Sequence, residues 1–292
     1  MDEQDRLAER FETQRSQLRS VAYRLLGSLS DADDAVQEAW LRLSRTDVGG
    51  VENLAGWLRT VVSRICLDML RSRASRREEL VGQRMPDRAA DAEDGPEEEA
   101  LLADSVGLAL LVVLDTLAPA ERIAFVLHDM FTVPFDQIAE IVERSPDTAK
   151  KLASRARRKA RGGATAPGAE LARHRQVVEA FLTASRNGDL DAVLAVLAPD
   201  VVRRADRAAL PAGAATVVSG ARAVAAGTMV FGRRARFAAP ALVDGAVGAV
   251  VAAHGRLVIA LTFRIEGERI TEYEVIADPA RLHRLDLAVL AP

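Results

Sequence analysis

Eight Lys or Arg residues crowd into positions 143–161, against only Glu143 and Asp147, a local charge of +6. The whole chain carries a formal net charge of −3, so this cationic stretch is a local specialisation. The spacing predicts a helix over 146–161. Ser145 suits its N-cap, and Pro146 suits the first helical position, where a missing N–H costs nothing. Ala149, Leu152, Ala153, Ala156 and Ala160 recur at helical spacing and should face a core. Their small size lets a neighbouring helix approach closely. The other face carries Thr148, Lys150, Lys151, Ser154, Arg155 and Arg158, with Arg157, Lys159 and Arg161 extending the charge. Cations on such a face neutralise phosphates, and polar groups near the helix N-terminus reach base edges. Asp147, Thr148, Lys150, Lys151 and Ser154 are therefore the base-reading candidates; Arg155, Arg158 and Lys159 are the phosphate candidates. The plain alternative is a solvated amphipathic helix in an ordinary bundle. The preceding segment favours a DNA duplex: Ile138, Ala139, Ile141 and Val142 make one apolar stripe, and Glu143-Arg144-Ser145 is short enough for a helix-turn-helix.

That motif needs a scaffold. A chain of 292 residues suggests two or three compact units, at roughly 100–150 residues each. The 49% apolar content is enough to build their cores. The single cysteine, Cys66, excludes a disulfide framework or a Cys-rich zinc site, and reads as a buried core thiol. His128, His174, His254 and His283 are dispersed and form no ligand cluster. No glycine-rich phosphate loop is present in the C-terminal half. The N-terminus MDEQDRLAER is acidic, unlike a signal peptide, and no apolar run reaches the length of a membrane span. The expectation is a soluble cytoplasmic protein without cofactor or metal.

Residues 4–77 read as helical. Leu18, Val21, Ala22, Leu25 and Leu26 form one stripe ending near Gly27. Ser30 or Asp31 caps a second helix whose buried side is Ala35, Val36, Ala39, Trp40 and Leu43. A third runs from about Leu54 to Arg73, with Trp57, Leu58, Val61, Val62, Ile65 and Leu70 as its apolar stripe. Residues 78–104 hold ten acids against Arg84 and Arg88, with Pro86, Gly95 and Pro96 as breakers, and read as a linker. Helices are expected at Asp104–Leu117 and Ala120–Met130, then the helix-turn-helix, then a break from Gly162 to Gly168. Two further helices, about 171–187 and 189–197, precede strand candidates at 216–219, 234–243, 246–253, 256–265 and 269–277. Gly245, His254-Gly255 and Glu266-Gly267-Glu268 are hairpin turns. Helices followed by antiparallel strands define an α+β order.

The helical half resembles the bacterial sigma-70 family, in particular its two-domain extracytoplasmic-function group. Ala22-Tyr23-Arg24-Leu25-Leu26-Gly27-Ser28, the run Asp31–Leu43, Ala55-Gly56-Trp57-Leu58 and Leu67-Asp68-Met69-Leu70-Arg71 are similar to sigma region 2. Leu114–Arg122 and the helix-turn-helix are similar to region 4. The C-terminal segment resembles the SnoaL-like domain, an α+β cone, through Gly188-Asp189-Leu190, Leu197–Val202, Gly220–Ala225 and Ala277–Leu282. The implied layout is multidomain: region 2 over 1–79, an acidic linker over 80–104, region 4 over 105–163, and the cone over 169–292.

The resemblance implies an initiation factor that binds core RNA polymerase and recognises the −10 and −35 elements of promoter DNA. Asp33, Asp34, Gln37 and Glu38 match the polymerase-docking face; acids at that helix start also favour its dipole. Trp57, Arg59, Arg64, Arg71 and Arg73 match the part that holds melted −10 DNA by stacking and phosphate neutralisation, although Trp57 also falls on the apolar stripe. Region 4 would read the −35 duplex. The acidic linker either mimics nascent RNA or is a solvated tether. The cone is expected to contact the sigma domains and tune their activity. Of the motifs that carry this contact in the subgroup, the chain retains Asp206, within Ala205–Leu210, and Pro86, within Met85-Pro86-Asp87.

Some SnoaL-like domains are cyclases or isomerases with an acid–base residue inside the cone. The candidates here, Asp206, Asp244, His254, Tyr273 and Glu274, have no partner at evident spacing. The expectation is a specificity subunit, not a catalyst. The alternative from another class is a one-component helix-turn-helix regulator whose SnoaL-like half senses an unidentified small ligand. Region 2 discriminates, because a simple regulator has no need of the Asp33–Glu38 face.

Overall fold

The computed structural model describes residues 3–46, 53–80, 107–163, 166–235, 238–253 and 255–290. Most of the acidic linker, with Pro86, most of the turn before the third helix, and His254 lie outside these residues. Packing divides the chain into two units, Met1–Leu102 with Leu117–Arg158 and Ala103–Thr116 with Lys159–Pro292.

The first unit is all helical. Helices α1 (Glu3–Leu26), α2 (Leu29–Leu43) and α3 (Leu54–Leu80) pack against one another. Their contact is built from the expected stripes: Leu18, Val21, Leu25, Ala35, Val36, Ala39, Leu43, Leu58, Val62 and Ile65 are all buried. The chain turns between α1 and α2 at Gly27, whose φ of +76° suits a residue without a side chain. Ser28, not Ser30 or Asp31, caps α2, its Oγ accepting the Asp31 N–H at 3.3 Å. The third helix runs past Arg73 to Leu80, because no breaker stands before Gly82. Cys66 is wholly buried, as expected for a core thiol. Helix α5 (Pro119–Phe125) widens into a π turn (Val126–Met130), then α6 (Phe135–Val142) and most of the basic helix α7 (Pro146–Arg161) complete the unit.

The second unit is α+β. One seven-stranded sheet has the order β2-β1-β6-β5-β4-β3-β7. Its strands are β1 (Leu197–Ala205), β2 (Val217–Ser219), β3 (Ala238–Val243), β4 (Ala246–Ala253), β5 (Arg256–Glu266), β6 (Arg269–Ile276) and β7 (Leu287–Ala288). Only the β1–β6 pair is parallel. Helices α8 (Gly168–Asn187), α9 (Leu190–Val196) and α10 (Ala221–Ala235) share a core with it, in which Phe181, Val193, Val224, Ala249, Val251 and Tyr273 are buried. The β3–β4 hairpin turns on Asp244 and Gly245, both at positive φ, as a two-residue hairpin turn requires. Four of the five expected strands appear with small end shifts. The expected strand 234–243 instead begins at Ala238, because Ala221–Ala235 is helical.

Helix α4 (Leu108–Asp115) also belongs to this unit, although it lies upstream of the helix-turn-helix in sequence. It packs on β3, β4, β5 and β7. Its sequence LALLVVLD is apolar almost all round, which suits a helix buried on more than one side. It helps explain why Val250 and Ala260 are fully buried, although their neighbours Ala249, Val251 and Leu261 point to the α8 side.

Candidate nucleic-acid interface

The helix-turn-helix forms over the residues its pattern specifies. Helix α6 buries Ile138, Ala139, Ile141 and Val142. Glu143 closes it in the left-handed conformation (φ 57°, ψ 47°), and the Arg144 N–H returns to the Ala139 carbonyl at 3.0 Å. Ser145 Oγ then accepts the Thr148 N–H at 3.3 Å and lies 2.9 Å from Thr148 Oγ1, a cap typically worth about 1 kcal/mol. Ala149, Leu152, Ala153, Ala156 and Ala160 are all buried along α7.

The outer face sorts the cations into two groups. Lys150, Lys151 and Arg158 are exposed and make no ion pair or hydrogen bond among the described residues, and Asp147 and Ser154 are exposed beside them. The others are engaged. Arg157 donates from Nε and Nη2 to the two Asp129 oxygens at 2.7 and 2.9 Å, and this pairing raises its already high pKa. Lys159 donates to the Thr116 carbonyl at 2.9 Å, and Arg155 lies 3.6 Å from Glu121. The sequence pattern alone gives these cations equal standing; only the fold brings Asp129, Thr116 and Glu121 to them.

In the helical bundle, Asp33, Asp34 and Gln37 are exposed on one face of α2, with Glu38 half exposed beside them. Asp33 receives Nε and Nη2 of Arg19 at 2.7 and 3.1 Å, and Glu38 pairs with Arg42 at 2.9 Å. On α3, Arg59 donates to Gln137 Oε1 and Arg64 to the Glu140 carbonyl, both at 3.1 Å. Two of the cations matched to melted DNA are thus held by the first helix of the helix-turn-helix. Arg73 donates to the Leu26 carbonyl at 3.2 Å and pairs with Asp31, so it helps fix α3 to the α1–α2 turn. Arg71 stays exposed, 3.9 Å from Asp68. Trp57, expected on the apolar stripe, is only half-buried.

Asp206 is consumed inside the α+β unit. Its Oδ2 accepts the N–H groups of Ala277 and Asp278 at 3.1 and 3.0 Å, and Arg281 reaches its Oδ1 at 2.6 Å. Burial alone would raise its pKa, but the Asp278 N–H, the Arg281 guanidinium and the Ala277 N–H together hold the carboxyl below the usual range. Arg281 also bonds Glu274 at 2.8 Å, and Asp244 Oδ1 accepts the Asp286 N–H at 2.8 Å, so both these carboxylates act as local staples. Tyr273 is buried with its hydroxyl 2.9 Å from Thr228 Oγ1. The sequence reading missed Arg203, which is buried on the same face as Val201 and Ala205. The period-2 run VVRRA carries that signal, but only once β1 is recognised as a strand. No group of metal-ligating side chains occurs among the described residues, and no described helix is long and apolar enough to cross a membrane.

A helical bundle followed by a helix-turn-helix with a bare cationic face defines a DNA-binding transcription protein. Residues 11–76 match the model of Sigma-70 region 2, and residues 107–159 that of Sigma-70, region 4. The chain is 37% identical over 291 residues to the "Probable ECF RNA polymerase sigma factor SigI" of Mycobacterium tuberculosis H37Rv, with 98% of each chain covered. It is 44% identical over 200 residues to the ECF RNA polymerase sigma factor SigJ of the same organism, covering 67% of this chain and 64% of that one. The crystal structure of Mycobacterium tuberculosis SigJ aligns with a TM-score of 0.46 at 33% identity, covering 94% of this chain and 98% of the other. The chain belongs to the ECF group of RNA polymerase sigma factors, proteins of promoter recognition and transcription initiation.

Proposed function

We propose that the two parts of the first unit divide the promoter between them, and that the α+β unit tunes their use. In this reading Lys150, Lys151 and Ser154 face the bases of a −35 duplex, with Asp147 and Thr148 at the helix start. Arg158 and Arg155 meet phosphates, and Lys159 joins them if it leaves the Thr116 carbonyl. Asp33, Asp34, Gln37 and Glu38 dock on core RNA polymerase. The single observation that carries the reading is the row Lys150, Lys151 and Arg158, exposed and unpaired among the described residues, on a helix whose opposite face is buried.

Arg59 and Arg64 must leave Gln137 and the Glu140 carbonyl before they can meet melted −10 DNA. Both bonds are on exposed groups, where each is worth only about 0.5–1.5 kcal/mol, so polymerase and DNA can replace them. Arg71 is available as it stands; Arg73 and Trp57 serve packing first.

The test is promoter-dependent transcription with sigma-free core polymerase. Lys150→Ala with Lys151→Ala should abolish use of a −35-dependent promoter and keep binding to core. Asp34→Arg should weaken core binding instead. Failure of the unmodified chain to initiate, or loss of core binding from the Lys150/Lys151 pair, overturns the assignment. Asp206→Ala loosens the α+β unit from within. If that unit tunes activity, transcription per bound polymerase must change; an unchanged yield rejects the tuning role.

A further inference from the structure

The α+β unit holds a partly open cavity of about 100 Å³ between its helices and its sheet. That is several times the roughly 10–15 Å³ one water needs, and below the roughly 300–1,000 Å³ of drug-sized pockets. Phe181 and Leu182 line one side; Ala238, Val251, Leu261 and Val275 line the other. Into this apolar space the fold places a guanidinium. Arg203 is only 7% exposed and lines the cavity. Its Nη2 donates to the Ala215 carbonyl at 2.7 Å, while its buried Nε has no partner among the described residues.

A buried cation without a counter-ion carries a desolvation cost of several kcal/mol. Among the described residues no carboxylate offsets it. Arg203 is directly opposite Tyr273 in the β1–β6 register, and the flanking residues of β6, Glu272 and Glu274, therefore point to the other face. Both are already paired, Glu272 with Arg204 at 2.6 Å and Glu274 with Arg281 at 2.8 Å. Tyr273 offers no charge either. Burial pushes its hydroxyl pKa up, against the Thr228 hydrogen bond and the Arg203 charge that draw it down, and the phenol stays protonated at neutral pH. The Tyr273–Thr228 hydroxyl pair gives the cavity a second, neutral polar point.

We propose that this cavity is a binding site for a small organic acid, its carboxylate received by Arg203 and its apolar body laid against the sheet and α8. A carboxylate can accept the free Nε–H of Arg203 and complete the charge pair in an apolar setting, where such bonds are stronger than in water. The Tyr273–Thr228 pair can hold the second carboxylate oxygen or a polar substituent. The lining restricts the ligand to a compact monoacid, such as a short fatty acid or an aromatic acid, and disfavours diacids and phosphates. This assignment rests on the cavity alone and does not depend on the promoter roles above.

The test uses the full chain and two matched pairs, benzoate against benzamide and hexanoate against hexanamide, at constant ionic strength in a chloride buffer. Calorimetry should show each acid binding roughly 10- to 100-fold more tightly than its amide, the worth of a charge-assisted pair. Arg203→Met keeps the length and removes the charge; it should abolish the preference for the acid while leaving the amide nearly unaffected. Leu261→Trp fills the cavity and should abolish binding of both. No binding by the unmodified chain at millimolar acid, equal affinity for acid and amide, or an acid preference that survives in Arg203→Met each overturns the proposal. If Arg203→Met does not fold, the acid–amide contrast in the unmodified chain still decides.

Discussion

Neighbouring arginines on the basic helix should differ in kind when removed. Among the described residues Lys150, Lys151 and Arg158 are unpaired, whereas Arg157 is held by both oxygens of Asp129. Each phosphate contact contributes about 0.9 to the slope of log affinity against log salt. On a generic duplex, where Lys150 and Lys151 have no −35 bases to read and meet phosphates beside Arg158, replacing the three free cations by alanine should therefore lower the slope by about 2.7. From 50 to 200 mM salt, the advantage of the unmodified chain over the triple variant should shrink by about 40-fold. Arg157→Ala should leave the slope unchanged. Its cost falls on the fold: the ion pair is bidentate, but the side chains are 34% and 22% exposed, so solvent screening holds the loss to about 1 kcal/mol. That corresponds to roughly 2–4 °C in melting temperature. Because the phosphate term does not depend on sequence, a generic duplex suffices. Fluorescence anisotropy over a salt series gives the slopes, and calorimetry gives the melting temperatures. Equal slopes for Arg157→Ala and Arg158→Ala, or an undiminished slope in the triple variant, would refute the division of the helix into free and engaged cations.

Asp206→Ala removes the acceptor of two backbone N–H groups and one guanidinium, and should destabilise the α+β unit by about 2–3 kcal/mol in urea unfolding. Because the folded carboxyl has a depressed pKa, its contribution is present above the unfolded value of about 3.9 and is lost as pH falls through the lower folded value. The variant and the parent should thus converge in stability at acid pH. Gly248→Ala would place a Cβ 2.5 Å from the Leu261 carbonyl oxygen and 2.7 Å from Val243 Cγ2, and should cost about 1–3 kcal/mol by the same measurement. Burial pushes the Cys66 thiol up to about 12, so it should resist an aromatic disulfide reagent at pH 8 until the helical unit unfolds.

The helix-turn-helix was legible because its determinants are local: an apolar stripe, a cap, a proline and a small-residue face. The hairpins of β4, β5 and β6 were legible for the same reason, through their turn residues. Strand β1 was not. Its sequence LAPDVVRRA places Pro199 early and two arginines late, and its partner is the parallel strand β6, some 70 residues downstream. Without β1 the alternation that buries Arg203 and exposes Arg204 has no frame. Helix α10 was missed because Gly227, Gly232 and the β-branched residues weaken its propensity, while packing in the core of the α+β unit supports it. The engaged cations were invisible for a related reason, since Asp129 is 28 residues from Arg157 and Thr116 is 43 from Lys159.

The end of the basic helix has a consequence for local unfolding. The Ala160 carbonyl accepts the Val289 N–H at 2.8 Å, and Gly162, at φ +55°, packs so close to Ala288 that a methyl group there would lie 2.3 Å from its Cβ. A terminal turn that would ordinarily fray is thereby stitched to the chain's last strand. In hydrogen exchange, the amides near Ala160 should follow the opening of the α+β foldon, and those near Ala153 the opening of the helical one. One continuous helix would then report two cooperative clocks, and an event that loosens the final strand would be felt first where the basic helix ends.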